Sequence, residues 1–243
     1  MELEDQRVLV TGATAGIGQE AAKLFARRGA GVVISGRDTQ RGAQTVAAIE
    51  AQGGRAEFIA ANLNDIESVR RLAEQAGEID VLVNNAAALA PRTTFEQDVE
   101  SFDMMFDVDV RAPFFLTAAL VPKMIARGSG AIVNISSMGA SVGVPFAPAT
   151  AAAKAALESF TRSWAAAFGA NGIRVNTVAA GPTRTDSAIG TFGDALEQLG
   201  SATLLGRTAD PIEIAEAIVF LASPQASYLT GATVAVDGGF TAV

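Results

Sequence analysis

Short β-branched runs alternate with longer helical patterns along the whole of this 243-residue chain. That alternation is typical of βαβ units, which place parallel strands in one sheet and helices on both of its faces. Most of the strand candidates are almost continuously apolar, as strands covered on both faces are. The seven predicted strands are Arg7–Thr11, Gly31–Ser35, Ala56–Ala60, Asp80–Asn84, Ala131–Ser136, Arg174–Val178 and Thr233–Val236. The sequence therefore predicts an α/β fold with a doubly wound, mainly parallel, seven-stranded sheet.

The remaining segments predict helices and one irregular excursion. A long helical pattern covers residues 98–127 and contains Pro113, so we expect a kink or break there. A second, alanine-rich pattern covers residues 148–169. Residues 183–209 are interrupted by glycines and predict an irregular, mobile lid. Since no linker or repeat interrupts the chain, we expect residues 1–243 to form a single domain.

Composition narrows the classes of function. The net charge of −8 and the lack of a Lys/Arg run disfavour nucleic-acid and membrane partners and favour a small-molecule substrate. The chain has no cysteine and no histidine, so thiolate chemistry and the commonest metal ligands are absent and no metal site is predicted. No signal-peptide pattern is seen, and we expect a cytoplasmic protein.

A glycine loop follows the first predicted strand and opens a helix. Its residues are Thr11-Gly12-Ala13-Thr14-Ala15-Gly16-Ile17-Gly18. Glycines at these places permit a tight turn and close backbone approach to a pyrophosphate, and the helix N-terminus favours its negative charge. An ordinary βα turn is the plainer interpretation of such a loop alone. The strand before it and the helix after it favour a Rossmann-type dinucleotide site.

Four further segments match one family in order along the chain. They are Asn84-Asn85-Ala86-Ala87, Asn134-Ile135-Ser136-Ser137, Ala180-Gly181-Pro182-Thr183-Arg184-Thr185 and Val236-Asp237-Gly238-Gly239. With the glycine loop they resemble the short-chain dehydrogenase/reductase family. Each segment alone also fits a structural role; Asn84 and Asn85, for example, could merely hydrogen-bond loop backbone.

The resemblance implies a set of residues that bind a nicotinamide dinucleotide. These are Gly12, Thr14, Gly16, Ile17, Gly18, Arg37, Asn62, Leu63, Asn85, Ala86, Lys154, Gly181, Pro182, Thr183 and Thr185. At the end of the second strand, Gly36-Arg37 replaces the acidic residue that would select NAD(H). A guanidinium suits a 2′-phosphate, so NADP(H) is favoured, with NAD(H) possible. The alternative is a surface arginine paired with Asp38.

The catalytic residues implied by the resemblance are only partly present. Ser137 and Lys154 match the family's serine and lysine, whereas Thr150 stands at the tyrosine position and Asp109 at the asparagine position. A phenol is far more acidic than an aliphatic alcohol, so Thr150 is no simple proton donor. The only tyrosine, Tyr228, is expected to be a packed aromatic with a satisfied hydroxyl.

Two interpretations of Asp109 and Lys154 remain open. They form a structural ion pair, which we favour, or Asp109 is the acid/base while Lys154 orients cofactor ribose or water. The first function hypothesis is an NADP(H)-dependent oxidoreductase with atypical proton transfer, acting on a small, largely apolar carbonyl, alcohol or imine. The alternatives are a cofactor-binding pseudoenzyme or sensor, and a lyase or isomerase using the same pocket.

Two surfaces are also predicted. The pocket candidates are Leu89, Val144, Phe146, Ile189, Phe192 and Leu196. By resemblance to the family, the two long helical segments are expected to build a homotetramer or homodimer. These helices carry more apolar side chains than are needed to cover one face of a sheet, and surplus apolar surface marks an interface. The residues concerned are Ala152, Ala156, Phe160, Trp164 and Phe168.

Overall fold

The computed structural model of this chain describes residues 3–243 and contains one parallel sheet. Its seven strands are β1 (Arg7–Thr11), β2 (Gly31–Gly36), β3 (Arg55–Ala60), β4 (Val81–Asn84), β5 (Gly130–Ser137), β6 (Ile173–Ala180) and β7 (Thr233–Val236). They lie in the order β3-β2-β1-β4-β5-β6-β7. All seven predicted strands are confirmed, each to within a few residues at its ends.

Nine α-helices connect or flank the strands in the described part of the chain. They are α1 (Gly16–Arg27), α2 (Thr39–Glu50), α3 (Ile66–Ala76), α4 (Val99–Phe106), α5 (Ala112–Arg127), α6 (Pro148–Phe168), α7 (Asp186–Phe192), α8 (Asp194–Ser201) and α9 (Pro211–Ala222). None of the helices within residues 3–243 is both long and apolar enough to cross a bilayer.

The sheet separates two apolar cores because successive strand residues point to opposite faces. On β1, Val8 and Val10 face the core shared with α1 and α9, while Leu9 faces the core shared with α3, α5 and α6. All three side chains are completely buried. Helices therefore cover both faces of the central strands, which explains why these strands are nearly continuous apolar runs, whereas the edge strands β3 and β7 are partly exposed.

Strand order reverses between β1 and β4, which are neighbours although β2 and β3 come between them in the sequence. In open parallel sheets a crevice forms at such a switch point, outside the carboxyl ends of the strands. Every segment that resembles a cofactor-binding motif follows the carboxyl end of a strand in this sheet. The topology thus gathers the predicted site residues at one edge.

The long pattern over residues 98–127 is broken, as predicted, but the break precedes Pro113. Residues Asp107–Arg111 form one turn of π-helix, and Pro113 lies in the first turn of α5. Proline is tolerated in a first turn because its missing N–H would have no partner there. The π turn, which widens the helix by one residue, is therefore the interruption.

The prediction of irregular structure over residues 183–209 is wrong in part, because this segment contains α7 and α8. Thr185 caps α7 by accepting a hydrogen bond from Ala188 N at 3.1 Å. Gly193, at φ +51°, turns the chain between the two helices. The segment predicted to be a lid thus contains a pair of short helices that follow β6 in the chain.

The end of this segment is joined to the start of α9 by an ion pair. Arg207 donates two hydrogen bonds of 2.7 Å to the carboxylate of Glu213. The same carboxylate accepts from Asp210 N at 2.8 Å and so caps the helix. The Arg207 side chain, followed by the Asp210 N–H, lowers the pKa of Glu213 to about 2. The pair therefore keeps its charges through the physiological range of pH.

Candidate active site

The glycine loop is shaped by close approach to the segment that follows β4. Gly12 has φ +65°, and a Cβ placed there would lie 2.7 Å from Ala86 Cα. A Cβ on Gly18 would lie 2.6 Å from Gly12 O and would also clash with Asn85 Nδ2. A side chain at either position would therefore displace the loop. This cradle fits a pyrophosphate, which needs bare backbone N–H groups at a helix N-terminus.

Asn85 holds the glycine loop in place. Its side-chain amide donates to Thr11 O at 2.8 Å and to Gly12 O at 3.1 Å. In return, Thr11 Oγ1 accepts hydrogen bonds of 3.1 Å from Asn85 N and Ala86 N. Asn85 therefore makes hydrogen bonds to the loop backbone, which was the alternative, on sequence grounds, to direct contact with a cofactor.

The end of β2 presents an exposed cation. Arg37 is exposed, and its guanidinium has no hydrogen-bond or ion-pair partner within residues 3–243. Asp38 instead caps α2, accepting from Arg41 N at 3.0 Å, and its other oxygen lies 3.5 Å from Arg41 Nε. The alternative pairing of Arg37 with Asp38 is therefore wrong. Arg37 is free to meet an anionic ligand.

The residues after β3 differ in their accessibility. Asn62 is exposed, whereas the Leu63 side chain is buried in the core with α3 and α5. Asn62 N donates to Ser68 Oγ at 3.0 Å, which fixes the turn into α3. Of these two predicted cofactor-binding residues, only Asn62 has a side chain that a ligand can reach.

The segment after β6 closes the other side of the crevice. Thr183 Oγ1 donates to Gly181 O at 2.9 Å, and Gly181 N donates to Val236 O at 3.0 Å. Pro182 O accepts from Ala209 N at 2.8 Å, so the chain between α8 and α9 holds this segment in place. The methyl group of Thr185 approaches the glycine loop, lying 3.0 Å from where a Cβ on Gly16 would be. The remaining loop residues, Thr14 and Ile17, are half-buried beside these glycines.

A buried ion pair lies between the π turn and α6. Lys154 Nζ is 3.1 Å from Asp109 Oδ2, and the two side chains are 8% and 0% exposed. Lys154 also donates to Ile135 O at 3.2 Å, while Asp109 Oδ1 accepts from Ala88 N at 2.8 Å. Asp109 Oδ2 accepts no well-aligned hydrogen bond from any described residue. The burial and these partners fit the structural ion pair better than a solvent-accessible acid.

The two hydroxyl groups of the site have different surroundings. Ser137 ends β5, is half-buried, and within residues 3–243 its Oγ has one hydrogen bond, accepted from Gly139 N at 3.2 Å. Thr150 lies in the first turn of α6, and its hydroxyl donates to Met105 Sδ at 3.3 Å. The Ser137 proton therefore remains available to a ligand, whereas the Thr150 proton is directed at a thioether.

A row of buried polar contacts joins α6 to the sheet and was not predicted from the sequence. Ser136 Oγ donates to Glu158 at 2.7 Å, and Asn134 Nδ2 donates to Thr161 Oγ1 at 2.7 Å. Lys154, Glu158 and Thr161 recur at helical spacing, so they share one face of α6. That spacing was the available signal. These contacts fix the position of α6 and thereby of Lys154.

Some predicted side chains lie elsewhere. Tyr228 lies in the segment after α9 and is fully exposed, so its assignment as a packed aromatic is wrong. Of the pocket candidates, Phe146 and Ile189 are exposed at 43% and 48%, and Leu89, Val144 and Phe192 are half-buried. Leu196 is 3% exposed and cannot line an open pocket.

Comparison with known proteins agrees with this geometry. The family model described as enoyl-(acyl carrier protein) reductase matches residues 12–241. A cis-4-hydroxycyclohexanecarboxylate dehydrogenase from Sinomonas cyclohexanicum is 42% identical, with 97% of this chain and 96% of the relative aligned. A solved short chain dehydrogenase/reductase family protein is 52% identical with a TM-score of 0.95, each chain being fully covered.

A second solved structure contains a cofactor. It is a putative NAD(P) dependent gluconate 5-dehydrogenase from Beutenbergia cavernae with bound NADP at low occupancy. It is 34% identical with a TM-score of 0.95, covering 100% of this chain and 99% of its own. The likeness extends over the whole chain and includes every segment of the candidate site.

Proposed function

Because this chain belongs to the short-chain dehydrogenase/reductase family, we propose that it is an NADP(H)-dependent oxidoreductase acting on a small, largely apolar carbonyl or alcohol. The observation that carries the proposal is the cradle formed by Gly12 and Gly18. Any side chain there would meet backbone atoms or the Asn85 side chain that holds the loop in place. Such a cradle serves no purpose in a merely structural βα turn, whereas it fits a pyrophosphate.

The cofactor, when bound, supplies or accepts a hydride at its nicotinamide ring. The chain contributes binding, orientation and charge. Arg37 would hold the 2′-phosphate, and the segment from Gly181 to Thr185 would hold the nicotinamide end. An ammonium has three donors, and Lys154 pairs with Asp109 by charge and donates to Ile135 O, so part of its hydrogen-bonding capacity is left. Its remaining donor would bind the nicotinamide ribose.

Proton transfer differs from that expected of a site with a tyrosine. Ser137 would donate a hydrogen bond to the substrate oxygen, because its proton is not used by any described residue. Asp109 is fully buried behind Lys154 and serves as the counter-ion of that lysine. When a carbonyl is reduced, the oxygen takes its proton from a water bound near Ser137. Thr150 contributes no acid, since its hydroxyl lies against a thioether.

The substrate class is inferred from the pocket candidates that the sequence offers. The accessible candidates Val144, Phe146 and Ile189 are apolar, and apolar walls favour a neutral ring or chain around the reacting carbon. The relative from Sinomonas cyclohexanicum is named for a cyclic hydroxy acid. Cyclic ketones and the matching alcohols are therefore the first compounds to test.

The test of this function is a screen for NADPH oxidation with cyclic ketones, aldehydes and imines, with cofactor binding measured in parallel. We expect binding together with turnover of at least one ketone. Binding without turnover of any compound would favour the pseudoenzyme or sensor. Conversion of a substrate without any change in the cofactor's oxidation state would favour a lyase or isomerase.

We predict that Arg37 sets the choice of cofactor. One charge-assisted contact to phosphate is worth roughly 1.5–3 kcal/mol, so Arg37→Ala should weaken NADPH binding about ten- to a hundredfold and leave NADH binding unchanged. Titration of cofactor fluorescence measures both affinities. Arg41→Ala is the matched control, because Arg41 is an exposed arginine engaged with Asp38. Equal losses for the two cofactors in Arg37→Ala would contradict the assignment.

We also propose that the faces of α5 and α6 meet a second copy of this chain, giving a homodimer or homotetramer. Phe114 and Phe115 are 41% and 42% exposed, and Phe114 lies 5.4 Å from Phe160, centroid to centroid. Trp164 extends this aromatic cluster beneath the surface. An exposed apolar patch of this kind marks an interface. Light scattering at micromolar concentration should give a mass of two or four chains; a monomer would refute the proposal.

A further inference from the structure

Met105 lies directly against the hydroxyl group at position 150. Its Sδ atom is 3.3 Å from Thr150 Oγ1, and the Met105 side chain is completely buried. The two residues come from different elements, since Met105 is near the end of α4 and Thr150 is in the first turn of α6. Because protein interiors are close-packed, the thioether occupies space that a longer side chain at 150 would enter.

The same two elements supply the buried ion pair. Asp109 follows Met105 by four residues, and Lys154 follows Thr150 by four residues on one face of α6. The Met105–Thr150 contact thus lies about one turn from the Asp109–Lys154 pair. A helical side chain has only two favourable χ1 wells, because the third points into the preceding turn. A ring at position 150 that extends along the Thr150 hydroxyl therefore meets the sulfur of Met105.

We propose that Met105 determines which side chain position 150 can hold. Its thioether fills the space beside the Thr150 hydroxyl, so that the site has no room for the phenol ring of a tyrosine at that position. A threonine without this neighbour would leave a void, and a tyrosine with this neighbour would be overpacked. The packing part of the proposal is independent of the proposed function. The catalytic part rests on that function.

The first test measures packing through thermal unfolding. Overpacking makes Thr150→Tyr less stable, and we expect its Tm to fall by roughly 3–10 °C. Adding Met105→Ala removes the thioether and should restore most of that loss, so that the double variant is more stable than either single variant. Thr150→Phe with Met105→Ala repeats the comparison without a hydroxyl. If the Tm losses of the single substitutions simply add in both double variants, the proposal is overturned. An unchanged Tm for Thr150→Tyr would also overturn it.

The second test measures catalysis with NADPH and a ketone that the native protein reduces. A positioned general acid contributes typically 10²–10⁴-fold. We expect that gain in Thr150→Tyr with Met105→Ala, and not in Thr150→Tyr alone or in the matched Phe double variant. An equal gain in Thr150→Tyr alone would overturn the proposal. If the Tm values show the expected recovery but neither native nor variant protein reduces any ketone, the proposed function fails and the packing role of Met105 stands.

Discussion

Gly18→Ala is expected to weaken NADPH binding by a hundredfold or more. The added Cβ would meet Gly12 O at 2.6 Å and the side-chain amide of Asn85, so the loop must move away from the helix N-terminus. Moving it loses several backbone hydrogen bonds to the pyrophosphate, each charge-assisted and worth about 1.5–3 kcal/mol. The affinity of the purified variant, measured by fluorescence titration, checks this result.

The control for this glycine is Gly169→Ala. Gly169 follows α6 with ordinary helical dihedral angles, and a Cβ there meets no atom within 4 Å. This variant should bind NADPH as the native protein does. If Gly18→Ala folded normally and also retained native affinity, the cofactor would have to bind away from the glycine loop.

Lys154→Met is expected to cost about 3–5 kcal/mol of unfolding free energy and to abolish turnover. Methionine replaces the apolar stem of lysine but leaves the Asp109 carboxylate buried, completely shielded from solvent, without its cation. Breaking a buried pair by removing one partner carries a penalty of that size. This loss is a large share of the free energy of unfolding of a typical protein, which is roughly 5–15 kcal/mol.

The double variant Lys154→Met with Asp109→Asn is the informative control. It removes both charges, so it should be more stable than Lys154→Met alone although it carries one more substitution. Urea denaturation gives the free energies of all the variants under one set of conditions. A double variant that is less stable than Lys154→Met would show that the two charges do not interact as the 3.1 Å separation indicates.

The sequence predicts well both the sheet and the edge of the sheet where the site residues come together, because both depend on periodic and local signals. Apolar runs identified all seven strands, and their parallel arrangement brings Ser137 and the glycine loop to one edge. The Asp109–Lys154 pair could also be anticipated, since a resemblance to one family aligned both positions. Such signals are local or repeat at fixed spacing.

Contacts between distant elements were not predictable in the same way. Met105 and Thr150 are 45 residues apart, and no periodicity connects a buried methionine with one particular hydroxyl. The helices of the lid were missed because they are only seven and eight residues long and are separated by Gly193. Thr185, which caps α7, was the one local signal of a helix start, whereas α8 begins after Gly193 and has no side-chain cap.

The central claim is that Asp109 is the counter-ion of Lys154 and not the proton donor. It is tested most directly by the rate of ketone reduction in Asp109→Asn and in the native protein, at saturating NADPH and at a temperature where both are folded. The amide keeps an oxygen that can accept from Ala88 N but cannot exchange a proton with substrate. We predict a rate within about tenfold of native, since a general acid is worth typically 10²–10⁴-fold and none is lost. Loss of measurable turnover, in a variant that is folded at that temperature and binds NADPH with native affinity, would contradict the account and make Asp109 the working acid.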